Sequence, residues 1–425
     1  MTAAELLPES ATQNHKPDFR LDSVQSDLVV EFRHFGQRIL RPNALEADRI
    51  AGLPEGISQT PEVLNFMRVF VPRELGGGWR SLSRPDRIYD TARSALLRVL
   101  FCEESAYWDA ALTIALPGPG LAEPVITALG STEQKKKYLG IFLADGAKWG
   151  AFALSEPGSG SDVASISTTS VRTDDGYLIN GTKWFVGNGP RADWIVVFAS
   201  INPSAGQFGI RPFVIEKNTP GFKVGRVFPT LGLRAVQISE LVFTDCQVSR
   251  EQLLGPEKVR LNKSGFQGAM LTFDVMRPTV AAMGVAIGRA AIDQAEELVN
   301  QNGASHSLAH AWQQLRGNIG STRVRLHAAR LLARKAAWLR DMGFDNSLEA
   351  SMAKSFGAQA GMAACTLALE AARIADPGQS ALLDKLFRDV KAFDILEGTG
   401  EMQRLMMAKS LLRKSTSSSR DFGSS

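Results

Sequence analysis

The 425-residue chain has only three cysteines and five histidines. Cys102, Cys246 and Cys365 show no metal-ligand or redox-motif spacing, and an odd count without a secretory leader points to a reducing compartment. His306 and His310 stand four apart, the one histidine spacing relevant to a metal. No third ligand lies near them, a solvated helix face accounts for them, and no metal is expected. No run reaches the ~18 apolar residues of a membrane span. The first residues hold Glu5, Glu9 and Asp18, which an acid-poor transit peptide would lack, and no signal-peptide core is seen, so a cytoplasmic protein is expected. Concentrated charge is missing as well. The formal net charge of +4 comes from dispersed Lys and Arg, which argues against nucleic acid as the main partner and suits an anionic substrate. A dinucleotide fingerprint is also lacking, because Gly158-x-Gly160 lies in a strand-rich region and not at a strand-to-helix turn.

What is present is an ordinary globular composition, 44% hydrophobic and 22% charged, in a chain long enough for two or three cores. Residues 1–27 are polar and read as a loose arm. Over 28–148 apolar residues recur at helical spacing, as in Leu28, Phe32, Phe35 and Ile39, with breaks at Gly76-Gly77-Gly78 and Pro117-Gly118-Pro119-Gly120. Residues 149–262 change to short Val-, Ile-, Phe- and Thr-rich runs between turn residues, the pattern of an antiparallel barrel or sandwich. The helical period returns over 263–413 in Ala-rich segments suited to close packing. Residues 414–425 form a Ser-rich tail that reads as disordered. The expected fold class is α+β multidomain: an N-terminal all-α domain, a middle β-barrel or sandwich and a C-terminal helical bundle.

One stretch interrupts the C-terminal helices. In Asp394-Ile395-Leu396-Glu397-Gly398-Thr399-Gly400-Glu401-Met402-Gln403-Arg404, Gly398 and Gly400 each disfavour a helix interior by about 1 kcal/mol relative to Ala. Glu397 is therefore expected at a break between two helices, where a carboxylate can point into a pocket. The plainer reading is a cap, with Thr399 accepting the first amides of the next helix.

The same stretch, through Glu397-Gly398-Thr399 and Gln403-Arg404, resembles the catalytic segment of the acyl-CoA dehydrogenases, flavoenzymes that desaturate acyl thioesters between the α and β carbons. Further segments in the family's order carry the likeness: Leu154-Ser155-Glu156-Pro157-Gly158-Ser159-Gly160-Ser161-Asp162-Val163, Asn180-Gly181-Thr182-Lys183-Trp184-Phe185, Leu231-Gly232-Leu233-Arg234 and Phe273-Asp274-Val275-Met276-Arg277-Pro278. The resemblance implies FAD as cofactor, an acyl-CoA or acyl-carrier-protein thioester as substrate, and an electron-transfer flavoprotein as the acceptor of the electrons. Residue by residue, Glu397 matches the base that removes the α proton, helped by a raised pKa on desolvation, and its N–H helps hold the thioester oxygen. Phe152, Leu154 and Ser155 fall on the flavin-side strand and turn, and the Ser155 hydroxyl matches a contact to the flavin ring. Gly160 and Ser161 match positions near phosphate and the thioester-bearing arm. Phe185 matches an aromatic covering the flavin face, and Thr399 and Gln403 match contacts to adenosine. Phe273, Asp274 and Arg277 match contacts to the pantetheine arm, while Leu396 and Gly398 flank the base on the substrate side. Without the resemblance, Ser155 and Ser161 read as strand-end turns, Phe185 as a core aromatic, and Asp274 with Arg277 as a surface pair.

Departures from the family pattern are specific. Gly187 stands where a Thr usually approaches flavin N5, Leu396 replaces a frequent Tyr, and Val236 and Ile238 occupy usually polar positions. The family completes the FAD diphosphate site from a neighbouring subunit, with an Arg followed by Phe-Gly and later a Gln with a Gly pair. Here residues 300–306 hold no Arg and residues 370–376 no Gly pair. Two assemblies answer this: a homodimer or homotetramer in which Arg373 or His306 substitutes, or a heteromer with a paralogous chain. The expected function is FAD-dependent α,β-desaturation of an acyl thioester. The alternatives are a flavin monooxygenase or oxidase on the same fold and a flavin-deficient partner subunit.

Overall fold

The computed structural model describes residues 20–257, 265–302, 309–375, 378 and 380–418. Helix α1 (Ser23–Phe35) runs through a π-helical turn over Gly36–Leu40 into α2 (Arg41–Ile50). Asp22 and Gln25 cap its start reciprocally, so the backbone is already helical inside the segment expected to be an arm through residue 27. Helix α3 (Pro61–Met67), a short hairpin of β1 (Trp79–Arg80) and β2 (Ile88–Tyr89), then α4 (Ala95–Ala115), α5 (Glu123–Leu129) and α6 (Thr132–Gly140) complete the first region.

The middle region is a seven-stranded sheet of β3 (Gly150–Ala153), β4 (Thr169–Arg172), β5 (Gly176–Val186), β6 (Trp194–Ser200), β7 (Ile210–Glu216), β8 (Phe222–Val227) and β9 (Ser239–Ser249). Strand β6 is its centre. One edge of β6 pairs with β7 along its length, and the other is shared by β3 and the end of β4. Every residue of β6 is buried, which is why its sequence is an unbroken apolar run without alternation. The β3–β6 and β4–β6 pairings are parallel, so the sheet is mixed where a purely antiparallel one was expected.

The last region is helical: α7 (Gly265–Asn302), α8 (Ala309–Asp341), α9 (Ser347–Ala375), α10 (Ala381–Val390), α11 (Ala392–Ile395) and α12 (Gly400–Ser418). Helix α12 runs five residues, through Ser418, into the stretch expected to be a disordered tail. Small residues let α7 and α9 meet closely; a Cβ added to Gly361 would lie 2.3 Å from the Gly284 carbonyl oxygen. Within α7, Thr272–Asn302 is long and apolar enough to cross a membrane, but 83% of its apolar window is buried inside the fold. The largest core joins α1, α2 and α4 to α7–α11 and to Leu233, Ala235 and Val236 of the middle region. All three regions also meet at one polar junction. Arg388 pairs with Asp48 at 2.5 Å and donates to the Leu231 carbonyl, and Asp389 accepts the Leu233 N–H.

Candidate active site

Glu397 stands in the break between α11 and α12, with φ 55°, followed by Gly398 at φ 89°. The left-handed region is costly for a residue with a side chain, of order 1–3 kcal/mol, and persists where surrounding contacts hold it. Two buried side chains do so here. Lys354 of α9 donates from Nζ to the Asp394 carbonyl at 2.9 Å and the Gly398 carbonyl at 2.7 Å. Gln403 of α12 donates from Nε2 to the Glu397 and Gly398 carbonyls at 3.2 and 3.1 Å. Thr399 accepts the Met402 N–H at 3.4 Å, so the capping role exists alongside the break. Gly400 is needed too, because a Cβ there would fall 2.5 Å from Asp394 Oδ1.

The loop holds its carboxylate free. Glu397 is half-buried, yet its Oε2 is enclosed and has no hydrogen-bond partner among the described residues. Burial pushes its pKa up to about 8, against the opposing pull of Arg277 and Lys354. A carboxyl raised into this range is a competent base near neutral pH.

Arg277, on α7, is 6% exposed and pairs with Asp274 at 3.0 Å, with its guanidinium 5.6 Å from the Phe273 ring centroid. The surface-pair reading of Asp274 and Arg277 therefore fails: both are largely enclosed. Burial raises the Asp274 pKa against the opposing pull of Arg277 and a hydrogen bond from Ser347. Phe273 in turn meets Phe152 of β3, ring centroids 6.1 Å apart. That contact joins the helix facing the base to the sheet.

On the sheet side, the turn from Ser155 to Ser161 is held by a buried ion pair. Lys183, fully buried on β5, donates to Glu156 at 2.7 Å and to the Leu154 carbonyl at 2.9 Å. Burial opposes charge on both groups. Lys183 and hydrogen bonds from Ser167 and Thr168 nevertheless hold Glu156 down to about 2, while Lys183 itself is pushed down to about 8. The Leu154 side chain is packed in a core cluster, whereas Ser155 is half-buried, and Gly160 and Ser161 are exposed. A Cβ on Gly160 would meet nothing within 4 Å.

Phe185 has φ 59° and is 61% exposed beside Phe228 and Trp184. It is no core aromatic but an open flat face. Two departures from the family pattern prove to be neighbours: a Cβ on Gly187 would lie 3.2 Å from Val236 Cγ1. Val236 takes the space that a larger residue at 187 would need. Leu396 packs half-buried on the edge of the main core. His306 lies outside the described residues, and Arg373 is exposed on α9.

Sequence reasoning missed Lys183 and Lys354 as site residues. Both carried a signal. Lys183 shares the inward phase of β5 with Tyr177 and Ile179, and Lys354 falls on the helical stripe of Ala350, Gly357 and Gly361.

An enclosed carboxylate oxygen without a hydrogen-bond partner among the described residues and an open aromatic face are what a base and a planar cofactor would need; the class, a flavoprotein oxidoreductase, comes from the family matches. The family follows from three matches: the acyl-CoA dehydrogenase N-terminal domain over residues 23–145, the middle domain over 151–246 and the C-terminal domain over 263–412. The chain belongs to the acyl-CoA dehydrogenase family. It is 32% identical to the 3-(aryl)acrylate reductase of Clostridium sporogenes over 92% of this chain and 99% of that protein. The solved structure of butyryl-CoA dehydrogenase from Megasphaera elsdenii superposes with TM-score 0.81 at 31% identity, covering 93% of this chain and 100% of that one. A chain from a structure described as the electron transferring flavoprotein of Acidaminococcus fermentans matches with TM-score 0.81 at 30% identity, over 93% of this chain and all of that one.

Proposed function

We propose that this protein desaturates an acyl thioester, carried on CoA or an acyl-carrier protein, between its α and β carbons with FAD as cofactor. The observation that carries the reading is the enclosed, unpartnered Oε2 of Glu397, on a strained residue with its pKa pushed up to about 8. In this reading the Glu397 carboxylate takes the α proton as the α C–H bond breaks, and that electron pair forms the new C=C bond as the β hydride departs. Bound FAD supplies the acceptor for that hydride. The Glu397 N–H polarises the thioester oxygen.

Phe273, Asp274 and Arg277 hold the arm that carries the thioester, with Ser161 at its outer part and Leu396 and Gly398 beside the acyl carbons. The residues fit a flavin. Phe185 offers a face to its ring, Phe152, Leu154 and Ser155 border it, and Gly160 leaves room for a phosphate. Gln403 Oε1, buried without a partner among the described residues, leaves an acceptor for the adenosine end beside Thr399. An electron-transfer flavoprotein is the expected acceptor of the two electrons. The free Glu397 carboxylate favours this chemistry over an oxygenase, which has no use for an α-proton base.

The test is Glu397→Gln. The amide keeps the shape and cannot take a proton, so flavin content is expected to persist while anaerobic bleaching by acyl-CoA esters slows by about 10²–10⁴-fold. Bleaching at the wild-type rate would remove Glu397 from its role. A panel of short, branched, aryl and long esters reads out the acyl class.

A further inference from the structure

Lys354 is the least expected group near the base. It is a lysine with no exposed surface on an Ala- and Gly-rich helix, where an ammonium is retained only if its donors are used. They are used on both sides of one residue. Asp394 lies at the end of α11 and Gly398 directly after Glu397, and Nζ reaches the carbonyls of both.

The geometry points to Lys354 as a positioning residue that acts through Glu397, its ammonium bridging the carbonyls across the break and thereby fixing the base while favouring its ionised form.

Other groups face this loop from every side. Arg277 comes from α7, Cys102 from α4 with Arg98 behind it, Asp394 from α11 and Glu401 from α12. Of the two cations acting on Glu397, Arg277 already pairs with Asp274. Among the described residues the hydrogen bonds of Lys354 go to carbonyl oxygens, and its pull on Glu397 adds to the larger one of Arg277. Burial pushes its own pKa down to about 8, with Asp394 and Glu397 pulling the other way. A neighbouring cation that itself titrates near the base makes proton uptake at one group depend on the other.

The inference rests on Glu397 being the base, and its test reads the carboxyl directly. In protein ¹³C-labelled at glutamate side-chain carboxyls, the Glu397 signal is the one lost in Glu397→Gln. Its titration midpoint is expected to rise by about one pH unit or more in Lys354→Met and Lys354→Gln. Lys354→Arg, which keeps the charge, is expected to hold the wild-type midpoint. Lys354→Gln retains two donors near the same carbonyls, so it carries the test should the Met variant fail to fold. In bleaching assays the neutral variants lose maximal rate with little change in apparent thioester affinity. A midpoint unmoved in both neutral variants, or raised as much in the Arg variant, overturns the role. Full activity of Glu397→Gln would instead refute the base itself, so the two failures are distinguishable.

Discussion

Glu397 is accommodated as an acid and tolerated as an anion. Its folded pKa of about 8 lies above the ordinary carboxyl value of 4.5. The folded state therefore binds the extra proton between those values. Its contribution to stability is complete below the unfolded pKa and is lost as pH rises through the folded one. Glu397→Gln has no such proton to lose. Without thioester present, the variant is expected to be more stable than wild type at pH 9 by about 2 kcal/mol or more, with the gap closing toward pH 5. Urea melts at the two pH values check this, and equal stability at both would mean that the carboxylate is solvated after all. The opposite case is Glu156, whose depressed pKa of about 2 places its contribution above pH 4.5, to be lost only in strong acid.

Element boundaries divide into those written locally and those set by tertiary contact. The break at Glu397 was legible because two glycines within three residues each disfavour a helix interior. The parallel pairings of β6 were not legible, since a short apolar run carries no mark of its partner's direction. The start of α1 lies inside the expected arm, marked locally by the cap signature of Asp22 and Gln25. The candidate site was readable mainly through family likeness. Lys354 stayed hidden because its two acceptors lie 40 and 44 residues away in sequence. Its placement depends on how closely α9 lies on α7. Gly361→Ala would push a methyl into the Gly284 carbonyl and the Val390 side chain. The expected cost is about 1–3 kcal/mol in urea melts, with slower bleaching as Lys354 moves off the loop. Unchanged stability would show that the helices can part without strain.

At the scale of the whole molecule, one chain carries the proposed base and the residues proposed to face the flavin, while residues 300–306 hold no Arg and residues 370–376 no Gly pair. A homo-oligomer is the expected assembly, with the exposed Arg373 or His306 standing in across a subunit contact. Expressed alone, the protein is then expected to show an oligomeric mass and one FAD per chain. Half-occupied or flavin-free protein that regains flavin with a co-expressed paralogue would point to a heteromer instead. Within the chain, the junction of Asp48, Leu231, Leu233, Arg388 and Asp389 bears on how the protein is made. The first helices leave the ribosome with their apolar faces bare, because much of what covers them comes from α7–α11, as late as Phe393. The middle region has a core of its own within residues 151–253, whereas the first and last regions share theirs. Closure of that shared core waits for nearly the entire chain, and until then its apolar surface stays open to misassociation.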